Sequence, residues 1–328
     1  MNEGLVMPIE LACPRLSPKP WGVEVLRPWS KEHREGTRVG EIWYERASET
    51  VPEPSLLLKL LFTDQPLSIQ VHPDDAYAQM IGLPRGKTEA WYVVDATPDA
   101  RIAIGLSQRL TRSQLHDAIV DGSIADLVLW RSVLPGDSFY VPAGTIHAIG
   151  AGLVIAEVQT RVDATFRLFD HGRQRELHID QGMVVAVPEP ASCPAEQCRL
   201  SDARKLLVVS PQFIVEHFEL PPNSRWRLET DFETWLLTLA GDAAAGSLAV
   251  SVGDAIFAEA EHVTLKVGAT GMAALAAYTG CGGPAPMLLR QLNERGETDT
   301  DRVHETQIMA SFSRAMTAFT RGHRRKEL

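Results

Sequence analysis

Cysteine is scarce and scattered in this chain. Its four residues, Cys13, Cys193, Cys198 and Cys281, form neither a CxxC pair nor a regular framework, which suits free thiols in a reducing compartment. Long apolar runs are missing too: no stretch of about 18 such residues could make a membrane-spanning helix. The opening residues, with Glu3, Pro8 and Glu10, lack the basic and then apolar pattern of a signal peptide. The expectation is a cytoplasmic protein with no membrane partner. Positive charge is in deficit, 32 Lys and Arg against 42 Asp and Glu for a net charge of -10. That argues against a nucleic-acid surface, and an anionic ligand would need locally placed cations. What remains, 45% hydrophobic and 23% charged over 328 residues, describes a globular protein of two packed units, or one with appendages.

The most informative stretch is SIQVHPDD, Ser68 to Asp75, behind the apolar run Leu56 to Phe62. In a strand, alternate side chains share a face, so Ser68, Gln70 and His72 point one way while Ile69 and Val71 point the other. Pro73 ends the ladder, and Asp74-Asp75 opens a turn or short helix. The apolar run and this stretch, joined by Thr63-Asp64-Gln65-Pro66, read as a hairpin. A Gln and a His in apolar surroundings need partners, because an unpaired buried polar group costs about 1–3 kcal/mol. The partner is a metal ion or a hydrogen bond in the core.

Around this stretch the pattern is one of strands. Residues 1–55, with Trp21 and Trp43, suggest short strands whose indoles plug the core. Lys87 to Val94 is a strand with Lys87 and Glu89 on one face. Thr111 to Val120 switches to helical period, with Thr111 as N-cap and Leu115, Ala118 and Ile119 as the buried face. Strands resume at Leu129 to Val133 and Ser138 to Val141. Leu153 to Gln159 is a buried strand carrying Glu157, and Asp163 and Arg167 follow among apolar residues, where charge needs a partner or a task. After the proline-rich Val187 to Pro194 the chain is again all-β, in Phe213 to Leu220, Phe232 to Leu239 and Ser247 to Phe257. Beyond Pro286, Ile308, Phe312, Ala315 and Phe319 recur at helical spacing, and Arg321, Arg324, Arg325 and Lys326 read as a solvated end.

Gly136 to His147 contains Gly, five residues, Pro, one residue, Gly, two residues, His. Tight turns at the glycines place the His at a strand end facing into a barrel. This spacing resembles the second sequence motif of the cupin superfamily, with Ala151 in place of the usual Asn. Gly253 to Ala258 echoes Gly136 to Val141, but Glu259 and Glu261 stand where the Pro and Gly were, and Thr264 where the His was. The echo kept the turn and has no ligand; His262 is off register. In the first copy, Gln70, His72, Glu89 and His147 line up as possible ligands. Their amide, imidazole and carboxylate donors suit Zn²⁺, and also Mn²⁺, Fe²⁺ or Co²⁺.

The segments SIQVHPDD, GKTEAWYVV and VPAGTIHAIG, with Glu157 to Asp170, resemble type I mannose-6-phosphate isomerases, in particular the short bacterial form, over about residues 15 to 280. The resemblance implies a mainly β double-cupin fold, two jelly-roll β-barrels with short helical inserts, to which the helical spacing beyond Pro286 adds a C-terminal helix. Residues 1–195 would form a catalytic barrel, 196–285 a degenerate barrel without ligands, and 286–328 a helical extension that has no counterpart in the family. It implies one zinc held by Gln70, His72, Glu89 and His147. It also implies a phosphosugar partner contacted by Ser68, Lys87, Arg167 and Asp163, and a monomer or homodimer. The family interconverts mannose 6-phosphate and fructose 6-phosphate through a cis-enediol, with the active-site arginine at Arg167 and base candidates Lys87 and Glu157. Lys87 could serve only with a depressed pKa, Glu157 only with a raised one. Arg161-Val162-Asp163 replaces a frequent Asn-Ser-Asp, and His171 a frequent Trp, which bears on substrate preference. An isomerase or epimerase of another phosphosugar, and a non-catalytic sugar-phosphate-binding cupin, are the alternatives.

Overall fold

A computed structural model of the protein describes residues 9–30, 36–47, 53–191, 197–280 and 288–293. The chain divides into two compact units, one comprising Pro14–Glu45 and Pro54–Ala195, the other Met1–Cys13, Arg46–Glu53 and Glu196–Leu328. Both are mainly β.

The first unit holds two sheets. The six-stranded sheet runs Cys13–Val23, Val39–Glu45, Leu56–Thr63, Leu153–Thr160, Glu89–Ala96, Ser138–Val141, and the five-stranded sheet Phe166–Phe169, Ile69–Val71, His147–Ile149, Arg101–Leu106, Val128–Ser132. One hydrophobic cluster draws Trp21, Leu61, Trp91, Val93 and Ile155 from the first sheet and Ile102, Ile104 and Ile149 from the second. The two sheets therefore pack as a jelly-roll sandwich rather than each closing into a barrel. The expected hairpin of the apolar run with SIQVHPDD does not form. Leu56–Thr63 pairs with Leu153–Thr160 in one sheet, while Ile69–Val71 pairs with His147–Ile149 and Phe166–Phe169 in the other. The Pro66 turn carries the chain between sheets, because the apolar run is buried along its whole length and already has strands on both sides.

Period-2 alternation does set the faces. Ile69 and Val71 pack with Leu115, Ala118 and Ile119 of the Arg112–Asp121 helix. That helix begins where the sequence places it, with a capping box between Thr111 and Gln114. Asp74 caps the short Asp75–Met80 helix by accepting from the Tyr77 backbone N–H at 2.8 Å.

In the second unit a ten-stranded sheet encloses an apolar cluster that includes Leu206, Phe218, Trp226, Leu236, Ile256 and Leu265. Ile9–Leu11 pairs with Ala258 to Ile256. Leu289–Gln291, at the start of the segment expected to be helical, is a strand on Arg225–Thr230. The helical spacing from Ile308 to Phe319 lies outside the described residues. The turn echo is present in the backbone: Gly136 and Gly253 both take positive φ, 95° and 87°. Asp137 accepts from the Leu134 N–H and Asp254 from the Ser251 N–H, each at 2.8 Å.

Candidate metal centre and adjoining cavity

Strand register assembles the centre. His147 and Arg167 both sit opposite Gln70, on the two strands flanking it, and Glu89 sits opposite Gln159, with Glu157 two places along opposite both Trp91 and Lys59. Gly86 brings the two sheets close at this point, since a Cβ there would lie 2.5 Å from the Pro73 oxygen and the Asp74 carbonyl carbon. The Lys87 N–H then donates to the Pro73 carbonyl at 2.9 Å, which fixes Lys87 and Glu89 beside His72.

His72, Glu89 and His147 are all buried, and their candidate ligand atoms lie within 4.8 Å of one another. The Nδ1 of His72 is 2.8 Å from the Ala164 carbonyl and that of His147 is 2.8 Å from the Thr145 carbonyl. A carbonyl only accepts, so each Nδ1 carries the ring proton and each Nε2 presents a lone pair. His72 Nε2 faces Glu89 Oε1 at 3.0 Å without a hydrogen bond of its own, and the Lys87 ammonium reaches the same Oε1 at 3.0 Å. The buried Nε2 lone pair still faces a carboxylate oxygen, an arrangement that a cation between them would relieve. A proton does not fill that role: burial, and then Lys87, lower the His72 pKa from 6.5 to about 3. Burial lowers that of His147 also. The donor set and its backbone-anchored imidazoles therefore fit a divalent metal ion. Gln70 adjoins the three. Its Nε2 is 3.3 Å from His147 Nε2 and its Oε1 accepts from the Ser68 hydroxyl at 3.1 Å; a half-turn of the amide would present its oxygen to the centre.

Next to the centre is a cavity of about 320 Å³, whose walls include Ser68, Gln70, Lys87, Glu89, Glu157 and Arg167, with Asp163. Lys87 Nζ is 3.0 Å from Glu89 Oε1. Burial pulls the Lys87 pKa down, but Glu89 and Glu157 more than reverse this and hold it above the ordinary lysine range. Burial pushes the Glu89 carboxyl up, and Lys87 and His72 overcome that to hold it well below the usual range. Glu157 moves the other way, raised by burial and by Glu89. Arg167 donates from Nη1 to the Glu176 carbonyl at 2.7 Å, and its buried Nε has no partner. It forms no ion pair with Asp170, whose carboxylate is taken by Arg173 and Arg175.

Sequence reading missed part of the wall. Trp43 is half-buried and lines the cavity instead of plugging the core; its indole donates to Glu41 at 2.6 Å and the Lys59 ammonium sits 4.6 Å from its ring. Lys59 is 4% exposed and bonds Glu157 at 3.1 Å and Gln159 at 2.5 Å. Its signal was visible: a single lysine inside Leu56-Leu57-Leu58-Lys59-Leu60-Leu61-Phe62 cannot be buried without a carboxylate or amide opposite it.

No protein-family profile matches the chain. Over 141 residues it is 43% identical to the mannose-6-phosphate isomerase ManA of Bacillus subtilis (strain 168), covering 40% of this chain and 44% of that protein. Over 173 residues it is 39% identical to the mannose-6-phosphate isomerase of Streptococcus mutans serotype c, covering 50% and 54%. The chain thus spans about half the length of the curated relatives it matches. The crystal structure of the mannose 6-phosphate isomerase from Bacillus subtilis superposes with a TM-score of 0.73 at 24% identity, over 82% of this chain and 99% of that one. The two share a fold.

Proposed function

We propose that this chain is a metal-dependent aldose–ketose isomerase that interconverts mannose 6-phosphate and fructose 6-phosphate through a cis-enediol. In this reading the first unit is catalytic, the second is a degenerate barrel without ligands, and the protein works in the cytoplasm as a monomer or homodimer. The carrying observation is the pair of facing acceptors, His72 Nε2 and Glu89 Oε1, in the wall of a cavity that also presents Lys87, Glu157 and Arg167. Similarity to proteins named mannose-6-phosphate isomerase supports it.

His72, Glu89 and His147, with Gln70 alongside, would hold one zinc ion per chain. Such an ion supplies polarisation and orientation of the substrate's oxygens. The chain's own residues do the rest. Isomerisation moves one proton from C2 to C1 and another from O2 to O1. Glu157 is the carbon base, because burial has raised its proton affinity toward the working range, and Lys59 anchors one of its oxygens. Lys87, held protonated, donates to a substrate oxygen. Arg167 sets positive charge against the anionic oxygens, Ser68 contacts the substrate phosphate beside the metal, and Asp163 contacts the substrate.

The test is a coupled assay of mannose 6-phosphate isomerisation on metal-analysed protein, before and after chelation, with glucose 6-phosphate as the competing substrate. Turnover with about one metal per chain, lost on stripping and restored by zinc, is expected. No turnover by metal-loaded protein would sink the activity; turnover that survives complete stripping would remove the metal; a preference for glucose 6-phosphate would reassign the substrate.

A further inference from the structure

Alternation along Arg225–Thr230 sends Trp226 and Leu228 into the apolar cluster of the second unit and leaves Arg225, Arg227 and Glu229 on the face away from it. The flanking strands extend that face in register. Lys266 sits opposite Arg225, Thr264 opposite Arg227 and His262 opposite Glu229, and Arg290 sits opposite Arg227 on the other side. Two of these cross-strand pairs are Arg with Lys and Arg with Arg, and like charges directly opposite each other destabilise a sheet. One carboxylate answers them. Glu229 accepts from Arg290 Nη2 at 2.7 Å, lies 3.1 Å from Arg227 Nε and also pairs with the His262 ring. Burial pushes its pKa up, and Arg290, His262 and Arg227 overcome that. Nothing is left for the Arg225 and Lys266 pair, which has no carboxylate among the described residues of these three strands, and the buried Nε atoms of Arg225 and Arg290 make no hydrogen bond.

A chain with a net charge of -10 has acidic groups to spare, and some are close at hand. The Leu292 N–H donates to the Arg225 carbonyl at 2.8 Å, so the described chain reaches Asn293 one residue past the basic face. The sequence goes on as Glu294-Arg295-Gly296-Glu297-Thr298-Asp299-Thr300-Asp301. Gly296 suits a turn. Glu297, Asp299 and Asp301 repeat at the period of a strand, which would put all three carboxylates on one side of an extended chain. The four residues from Asn293 to Glu297 span up to about 14 Å, and neighbouring strands lie about 5 Å apart. That reach covers the distance to both Arg225 and Lys266.

We propose that the acidic stretch Glu297 to Asp301 of this same chain docks on the basic face and sets its carboxylates against Arg225, Lys266 and Arg290. The contact ties the segment after Asn293 to the second unit and relieves the two like-charged pairs. It is independent of the isomerase activity.

The experiment is zero-length carbodiimide coupling of full-length protein, with unlabelled and heavy-nitrogen-labelled chains mixed in equal parts and the joined peptides mapped by mass spectrometry. Lys266 should couple to Glu297, Asp299 or Asp301 of its own chain, with a yield that falls about 5-fold or more between about 0.05 and 0.5 M salt. Coupling between labelled and unlabelled chains would give the face to a second copy. Coupling that ignores salt would reflect only the proximity of a tethered chain, and no coupling of Lys266 to the stretch would leave the face bare. Each of these overturns the proposal. Amide exchange in Arg225–Thr230 and Leu289–Gln291 is the second measurement. Neutralising the stretch with Glu297→Gln, Asp299→Asn and Asp301→Asn together should speed that exchange by about 3- to 10-fold, as for the loss of a few surface ion pairs; unchanged exchange overturns the proposal. Arg225→Glu with Lys266→Glu should have the same effect, and adding Glu297→Lys, Asp299→Lys and Asp301→Lys to that pair should restore the wild-type rate. A swap that restores nothing overturns the docking as well.

Discussion

Both units bury charge, and they do it differently. In the second, Arg204 meets Glu216 through two bonds of 2.8 Å, and the Tyr278 hydroxyl closes the remaining side of the carboxylate at 2.6 Å. In the first, an unprotonated imidazole nitrogen faces a carboxylate oxygen, and a protonated lysine leans on that same carboxylate, which also faces a second histidine. The Arg204–Glu216 arrangement is closed and needs nothing more. The first unit's arrangement is incomplete until a cation arrives, which is what distinguishes a site from a structural ion pair. Register shows the difference at matching places of the two Gly-Asp turns. Glu89 stands opposite Val141, and at the equivalent place Thr234 stands opposite Ala258.

The sharpest way to break this contrast is to remove the open charge. Arg167→Ala should lower turnover of mannose 6-phosphate by about 100- to 1,000-fold, as expected for lost electrostatic stabilisation. Bound metal should stay near one per chain, because Arg167 contacts none of His72, Glu89 and His147. Turnover near wild type would remove Arg167 from the mechanism; metal loss would make it part of the centre's frame.

Closing off the other side of the comparison calls for a substitution in the second unit. Arg204→Met leaves Glu216 buried and uncompensated, which typically costs about 3–5 kcal/mol. Chemical denaturation should show that loss, and the fraction remaining folded should retain its kcat. A negligible change in stability would mean that water reaches Glu216 and that the pair is no tighter than the open site.

The legibility of these features in sequence follows the range of the interactions behind them. Faces were readable, because period 2 along Ser68 to His72 and the cap at Thr111 are local properties. So was the turn echo, because both stretches use the same Gly-Asp geometry. Sheet membership was not, because Pro66 permits either a hairpin or a crossing between sheets, and only burial of Leu56–Thr63 on both sides decides. Trp43 misled for a related reason: an indole lining a cavity and one filling a core have the same neighbours in sequence. Arg175 and Lys59 are placed by partners 5 and 98 residues away, and no spacing rule connects the second of these.

A smaller effect separates the units by acid sensitivity. A buried histidine held neutral refuses the proton that it accepts near pH 6.5 in the unfolded chain. Its folded pKa is depressed, so the stability it carries is full above pH 6.5 and is lost as pH falls. For His72 that window runs from 6.5 down to about 3, with His147 shifted in the same direction. His171 and His178 in the first unit and His217 in the second are lowered as well, each first by burial. The slope is at most about 1.4 kcal/mol per pH unit for each group. Metal-free protein should therefore lose hydrogen-exchange protection in the first unit's strands faster than in the second's between pH 7 and pH 5.5, after correction for intrinsic exchange. Replacing both His72 and His147 by Gln should flatten the first unit's dependence. Equal losses in the two units would mean that the acid response comes from groups outside the metal centre, and the contrast between an open and a closed interior would then have no thermodynamic counterpart.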